Sequence, residues 1–204
     1  MAAEPHAPDR EAVHEQPVDG FGTVRILPLD PRADLDVVHG WVSGERASFW
    51  GMNGMTRQQV GEIYAHMDTL DTHHAFLLAK DGEPAALLQT YEPEADRVSE
   101  CYPVEPGDLG VHLLLAPAGP GGARPGWTSG LLTAVVAYVF TVLGQRRIVV
   151  DPDERNTKAT ARFLRQGFVP GPAVVLPEID LPDVYLPEKR AQLAFLDRER
   201  TVGN

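Results

Sequence analysis

The run Gly110-Val-His-Leu-Leu-Leu115, halted at Pro117, leads through a segment crowded with glycine and proline into a nearly apolar stretch from Leu131 to Leu143. A short apolar run ended by proline is the pattern of a buried strand. The stretch behind it is apolar on most faces, as a buried helix is, and falls short of the ~20 residues that span a bilayer. A strand, a glycine loop and a buried helix in series require a layered fold in which helix and sheet share a core.

The flanking segments fix what kind of layering. Thr23 to Leu27 alternates loosely and meets Pro28, which predicts a first strand. Asp34 stands before LDVVHGWV as an N-cap, with Gly44 able to close that helix. Thr56 and Gln59 fit a capping box, and Val60, Ile63, Tyr64 and Met67 recur behind it at helical spacing, predicting a second helix to about Leu70. AFLLAK and AALLQTY flank Asp81-Gly82, the chemistry of a tight hairpin. Downstream, RRIVVDPD reads as a strand, and Asn156 caps NTKATARFLRQ before Gly167 ends it. FVPGPAVVL and VYLPEKRAQLAFL read as a terminal antiparallel pair. The order β-α-α-β-β-β-α-β-α-β-β does not alternate strictly, which excludes a simple doubly wound sheet and implies a mixed, mostly antiparallel α/β (α+β) architecture.

Composition narrows the partners. The chain has 204 residues, 43% hydrophobic and 23% charged, enough for one sizeable core, so residues 21–204 are expected to form a single domain. Residues 1–20, rich in Pro, Ala, Glu and Asp, lack the apolar core of a signal peptide and are expected to be a mobile tail. A net charge of -11 argues against phosphate-backbone binding, which needs clustered Lys and Arg, so nucleic acid is a poor partner. Cys101 is the only cysteine, which excludes an internal disulfide and a multi-cysteine zinc site and fits a cytoplasmic setting. No metal and no membrane are expected.

A glycine-rich loop opening a helix presents unpaired N–H groups and partial positive charge, a fitting place for pyrophosphate. The loop from Gly119 to Gly130 occupies that place and carries Arg124, Thr128 and Ser129. The same loop can also be a plain connector. With the element order, it resembles the pyrophosphate-binding Q/R-x-x-G-x-G/A loop of the GNAT acyltransferase superfamily, over roughly residues 22–197. VVDPDERNTKATARFLRQGF is similar to the superfamily segment D-P-x-x-x-N-x-x-A-x-x-x-Y-x-x-x-G-F. The islands FWGM (49–52), CYPV (101–104), GVHLLL (110–115), DPDERN (151–156) and LPEKRAQL (186–193) resemble its branch that acylates N-hydroxylated lysine or diamines in hydroxamate siderophore biosynthesis, as in the aerobactin, desferrioxamine and mycobactin pathways.

The resemblance implies a GNAT-like central sheet with helices on both faces and acyl-CoA, acetyl or succinyl, as co-substrate. It implies cofactor contacts at Leu113, Leu114, Leu115, Arg124, Gly126, Trp127, Thr128, Ser129, Gly130 and Asn156, the last also an N-cap. Gly126 takes the first glycine of the loop, Thr128 replaces the second, and Ala123 falls at the Q/R place. Phe163 stands where many members have a tyrosine acid, which excludes that acid here. His112 is implied at the acceptor end of the cleft, as base or orienting group, with Asp153 as its expected carboxylate; Asp151 and Asp153 read alternatively as turn and helix caps. Trp50, Trp41, His39 and Gln89 are expected around the acceptor, and Phe49 in the core. The expected reaction is direct transfer to a small amine or hydroxylamine by a monomer or homodimer. A small-amine or aminoglycoside-type N-acetyltransferase and a non-catalytic binding module are the other readings.

Overall fold

Asp81 and Gly82 both adopt positive φ, 50° and 88°, the left-handed pair that a two-residue hairpin turn demands, and they join β3 (His73–Lys80) to β4 (Glu83–Tyr91). In this computed structural model residues 10–119, 122, 124–181 and 184–201 are described. They belong to two compact units: Met1–Thr90 with Leu113–Tyr138, and Tyr91–His112 with Val139–Asn204.

In the first unit β1 (His14–Val18), β2 (Gly22–Pro28), β3 and β4 follow one another as neighbouring strands, with antiparallel register such as His14↔Ile26 and Val24↔Lys80. β1 lies within the stretch expected as a tail: residues 14–18 form a strand paired with β2. Their polar composition concealed this, because an edge strand buries little, and Pro17 is tolerated there. Residues 1–9 of that tail lie outside the described residues. Helix α1 (Leu35–Val42) begins after Asp34, whose side chain does not cap it. That carboxylate instead accepts from the Asp30 amide at 2.9 Å and from Arg10. α2 (Arg57–Met67) is opened by the expected reciprocal capping box of Thr56 and Gln59. Leu27, Val38, Trp41, Val60, Tyr64, Leu77, Leu87 and Leu114 form one core cluster. α3 (Trp127–Ala137) starts four residues before the predicted apolar stretch and passes into a π-helical turn at Tyr138–Val142. Gly130 on α3 is required by packing: a Cβ there would lie 2.4 Å from the Phe21 ring.

The second unit contains most of β5 (Asp108–Leu115) and β6 (Arg147–Val150), which run parallel with Gly110 opposite Val149. α4 (Thr157–Arg165) follows, then β7 (Val169–Leu176) and β10 (Lys189–Asp197), which is antiparallel to both β6 and β7. Between them β8 (Ile179–Leu181) and β9 (Val184–Leu186) form a separate small hairpin, so VYL does not extend β10. Tyr91, Val98, Tyr102, Val149, Leu176, Ala191 and Leu193 make this unit's core cluster. The architecture is thus mixed α/β and mostly antiparallel, as expected. No helix among the described residues is long and apolar enough to cross a membrane.

Candidate active site

The parallel register of β5 and β6 builds the site. Gly110 faces Val149, and continuing that register by two residues brings His112 on β5 level with Asp151, the residue that follows β6. His112 Nε2 lies 2.6 Å from Asp151 Oδ1. Two other elements converge on the same carboxylate: the Tyr91 hydroxyl, from β4, donates to Oδ1 at 3.2 Å, and Lys189 Nζ, from β10, donates to Oδ2 at 2.8 Å. Asp151 is buried, with 3% of its surface exposed, whereas a third of the His112 side chain reaches solvent.

An ionised carboxylate only accepts hydrogen bonds, so its contact with His112 fixes the imidazole proton on Nε2. Any proton the ring takes up is then taken at Nδ1. Burial works against the charge on Asp151, but the charge His112 carries when protonated, the charge of Lys189 and the hydrogen bonds from both outweigh it and hold the carboxyl below its usual range. Burial, reinforced by the Asp151 charge, pushes the Tyr91 phenol well above its ordinary value and keeps it a neutral donor. The Tyr91 and His112 ring centroids are 5.0 Å apart. Tyr91 takes this position only because residue 110 is glycine, where a Cβ would lie 2.1 Å from the ring.

The carboxylate paired with His112 is therefore Asp151, and the expectation of Asp153 is corrected. Two residues beyond Asp151, Asp153 accepts from the Arg155 backbone at 2.9 Å and from its guanidinium at 2.8 Å, a turn-closing arrangement. The Arg155 hydrogen bond also holds the Asp153 carboxyl below its ordinary value. Asn156 caps α4, its Oδ1 accepting from the Ala159 amide at 3.2 Å. Phe163 is buried against Phe168. The Cys101 thiol, half-buried and contacting the Val175 carbonyl at 3.4 Å, is pushed up by burial and is no ready nucleophile.

The expected acceptor residues lie in the first unit. Gln89 Nε2 and Trp50 Nε1 both donate to the buried Tyr64 hydroxyl, at 3.1 and 3.4 Å. Tyr64 was legible only as a helix-face residue, yet it joins two residues that the sequence singled out separately. Burial raises its phenol well above the ordinary range. His39 Nε2 meets the Met55 carbonyl at 3.1 Å. Trp41 is a core residue, only 9% exposed, because it falls on the α1 face that also buries Val38 and Val42. Phe49, expected in the core, is 42% exposed.

The loop before α3 is described from Arg124 onward, and Ala123 lies outside the described residues. Gly126 has φ 77°, a left-handed turn into the helix. Thr128 and Ser129 follow as its second and third residues, whose amides have no carbonyl four residues back within the helix. Trp127 is ringed by cations and an aromatic: Arg124 is 4.9 Å from its centroid, Lys80 5.7 Å, and Phe21 meets it edge-on at 5.3 Å. Lys80 was not anticipated, since nothing in a strand sequence shows what its terminal residue overhangs. On β5, Leu114 is buried and Leu113 and Leu115 are half-exposed. Open amides, two hydroxyls and the Arg124 guanidinium form a donor set suited to pyrophosphate, while the neighbouring Lys80 ammonium is paired with Asp81.

The profile of the acetyltransferase (GNAT) domain matches residues 30–176. The chain belongs to the GNAT acetyltransferase family. Within it, the chain is 27% identical over 136 residues to the lysine N-acyltransferase MbtK of Mycobacterium sp. (strain MCS), covering 66% of this chain and 54% of that protein. It is 25% identical over 173 residues to the N(6)-hydroxylysine O-acetyltransferase of Escherichia coli, covering 83% and 50%. The chain thus spans about half the length of these curated relatives. Among solved structures, AAC(6')-Ib in complex with paromomycin and acetyl-CoA aligns with a TM-score of 0.70 at 20% identity, over 89% of this chain and 97% of that one, a likeness of fold.

Proposed function

We propose that this GNAT-family chain is an acyl-CoA-dependent N-acyltransferase that acylates a small N-hydroxylated amine of the hydroxylysine, hydroxyornithine or hydroxycadaverine type, in hydroxamate siderophore biosynthesis. The observation that carries the reading is the buried Asp151 fixing a half-exposed His112 with its proton on Nε2. An imidazole held this way turns Nδ1 toward proton transfer. A hydroxylamine nitrogen, far less basic than an alkylamine, is already unprotonated there, so a modest base suffices.

The acceptor nitrogen attacks the thioester carbonyl carbon, forming the C–N bond. His112 Nδ1 takes the nitrogen's proton, and collapse of the adduct breaks the C–S bond. With Phe163 in place of a phenolic acid, the CoA thiolate departs directly, which its stability at neutral pH permits. The donors at Thr128, Ser129 and Arg124 receive the CoA pyrophosphate, and the Leu113–Leu115 backbone receives the pantetheine arm. Positioning supplies most of the rate.

The net charge of -11 favours a second reading, in which the acceptor is a cationic amine of the aminoglycoside type. Thiol release from acetyl-CoA and succinyl-CoA, measured against N6-hydroxylysine, N5-hydroxyornithine, N-hydroxycadaverine and an aminoglycoside, separates the two. Turnover with a hydroxylamine is expected; turnover with the aminoglycoside alone selects the second reading. Silence with every acceptor, together with no CoA binding by calorimetry, would instead mark a non-catalytic binding module.

A further inference from the structure

The carboxylate of Asp151 divides its two oxygens between two tasks. Oδ1 takes His112 and Tyr91, and Oδ2 takes Lys189. Lys189 is the first residue of β10, and its side chain is 23% exposed while that of Asp151 is 4% exposed, so this ion pair is poorly screened. A buried carboxylate whose only cationic partner was an imidazole would draw that imidazole into its protonated form. Protonated, His112 could orient an acceptor but not take a proton from it.

We propose that Lys189 is a positioning residue for the transfer reaction: by balancing the charge of Asp151 through Oδ2, it limits how strongly the carboxylate that anchors His112 through Oδ1 favours the protonated ring. The inference rests on the reading of His112 as the base. Among the described residues, the other groups around the pair do not take over this contact: Arg97, whose charge reaches Cys101, donates to the Pro177 and Pro187 carbonyls. Tyr91 from β4 is a neutral donor, the Cys101 thiol is neutral, Asp96 adds negative charge, and Asp153, on the loop shared with Asp151, is itself bound by Arg155. Lys189 is thus the cation that sets how strongly the carboxylate acts on the ring.

The test is an NMR titration of the protein labelled at histidine Cε1, the His112 signal being assigned by its loss in His112→Asn. In Lys189→Met the His112 midpoint is expected to rise by about one pH unit, and in Lys189→Arg to return to within about 0.3 unit of the unsubstituted protein. The rising limb of kcat against pH should move upward by the same amount in Lys189→Met. A midpoint in Lys189→Met that stays within about 0.3 unit, or falls, overturns the proposal. If Lys189→Met fails to fold, Lys189→Gln is held to the same criteria. The titration needs no turnover, so inactivity with every acceptor together with no CoA binding would sink the acyl-transfer reading, while a shifted His112 midpoint would still show the charge balance set by Lys189.

Discussion

At the scale of single residues, two aspartates two positions apart do different work. Asp151 is buried beneath His112, whereas Asp153 is bound by the largely exposed Arg155. Asp151→Asn removes the charge that fixes the imidazole tautomer, and kcat is expected to fall by about 100-fold or more. Asp153→Asn should stay within about 3-fold, because the turn has other bonds; thiol-release kinetics on both variants check this. Asp151 also predicts a pH dependence of stability. Its carboxyl is held below the usual range, so its ionised contacts stabilise the fold above the unfolded pKa of about 3.9 and are lost as pH falls through the lower folded value. Asp151→Asn should therefore melt at lower temperature than the unsubstituted protein at pH 7, and their melting curves should converge on acidification.

At the scale of elements, caps and turns were legible because their chemistry is local. The Thr56/Gln59 box, the Asp81-Gly82 turn and the Asn156 cap each rest on residues within a few positions of one another. Asn156 separates two roles experimentally. Asn156→Ala is expected to cost about 1 kcal/mol of stability through the lost α4 cap, read by urea unfolding. CoA affinity by calorimetry should change by less than about 2-fold if capping is its main role; a loss of about tenfold would make it a cofactor contact. Elements that depend on distant partners were read less well. β1 is polar and acquires strand structure only by pairing with β2, and Asp34 gives up its capping role because Arg10 and the Asp30 amide claim its carboxylate.

At the scale of the whole molecule, charge predicts how the substrates arrive. A chain of net charge -11 attracts a cationic acceptor and repels polyanionic acyl-CoA at long range. Raising ionic strength from about 20 to about 300 mM should lower kcat/KM for the monocation N-hydroxycadaverine several-fold and lower KM for acyl-CoA, because screening weakens attraction and repulsion alike. Equal salt dependence for both substrates would show that local groups such as Lys80 and Arg124 outweigh the net charge. The sequence by itself determined the mixed sheet, most of the element order and the caps at Thr56 and Asn156, since periodicity and turn chemistry are written along the chain, while the family resemblance singled out His112. Only the tertiary structure decided that Asp151 rather than Asp153 holds His112, that Tyr91 crosses Gly110, and that Lys189, 38 residues away from Asp151, closes the set. Those partners are fixed by the register between β5 and β6 and by the return of β10 beside β6, and a register is a relation between strands that no single segment carries.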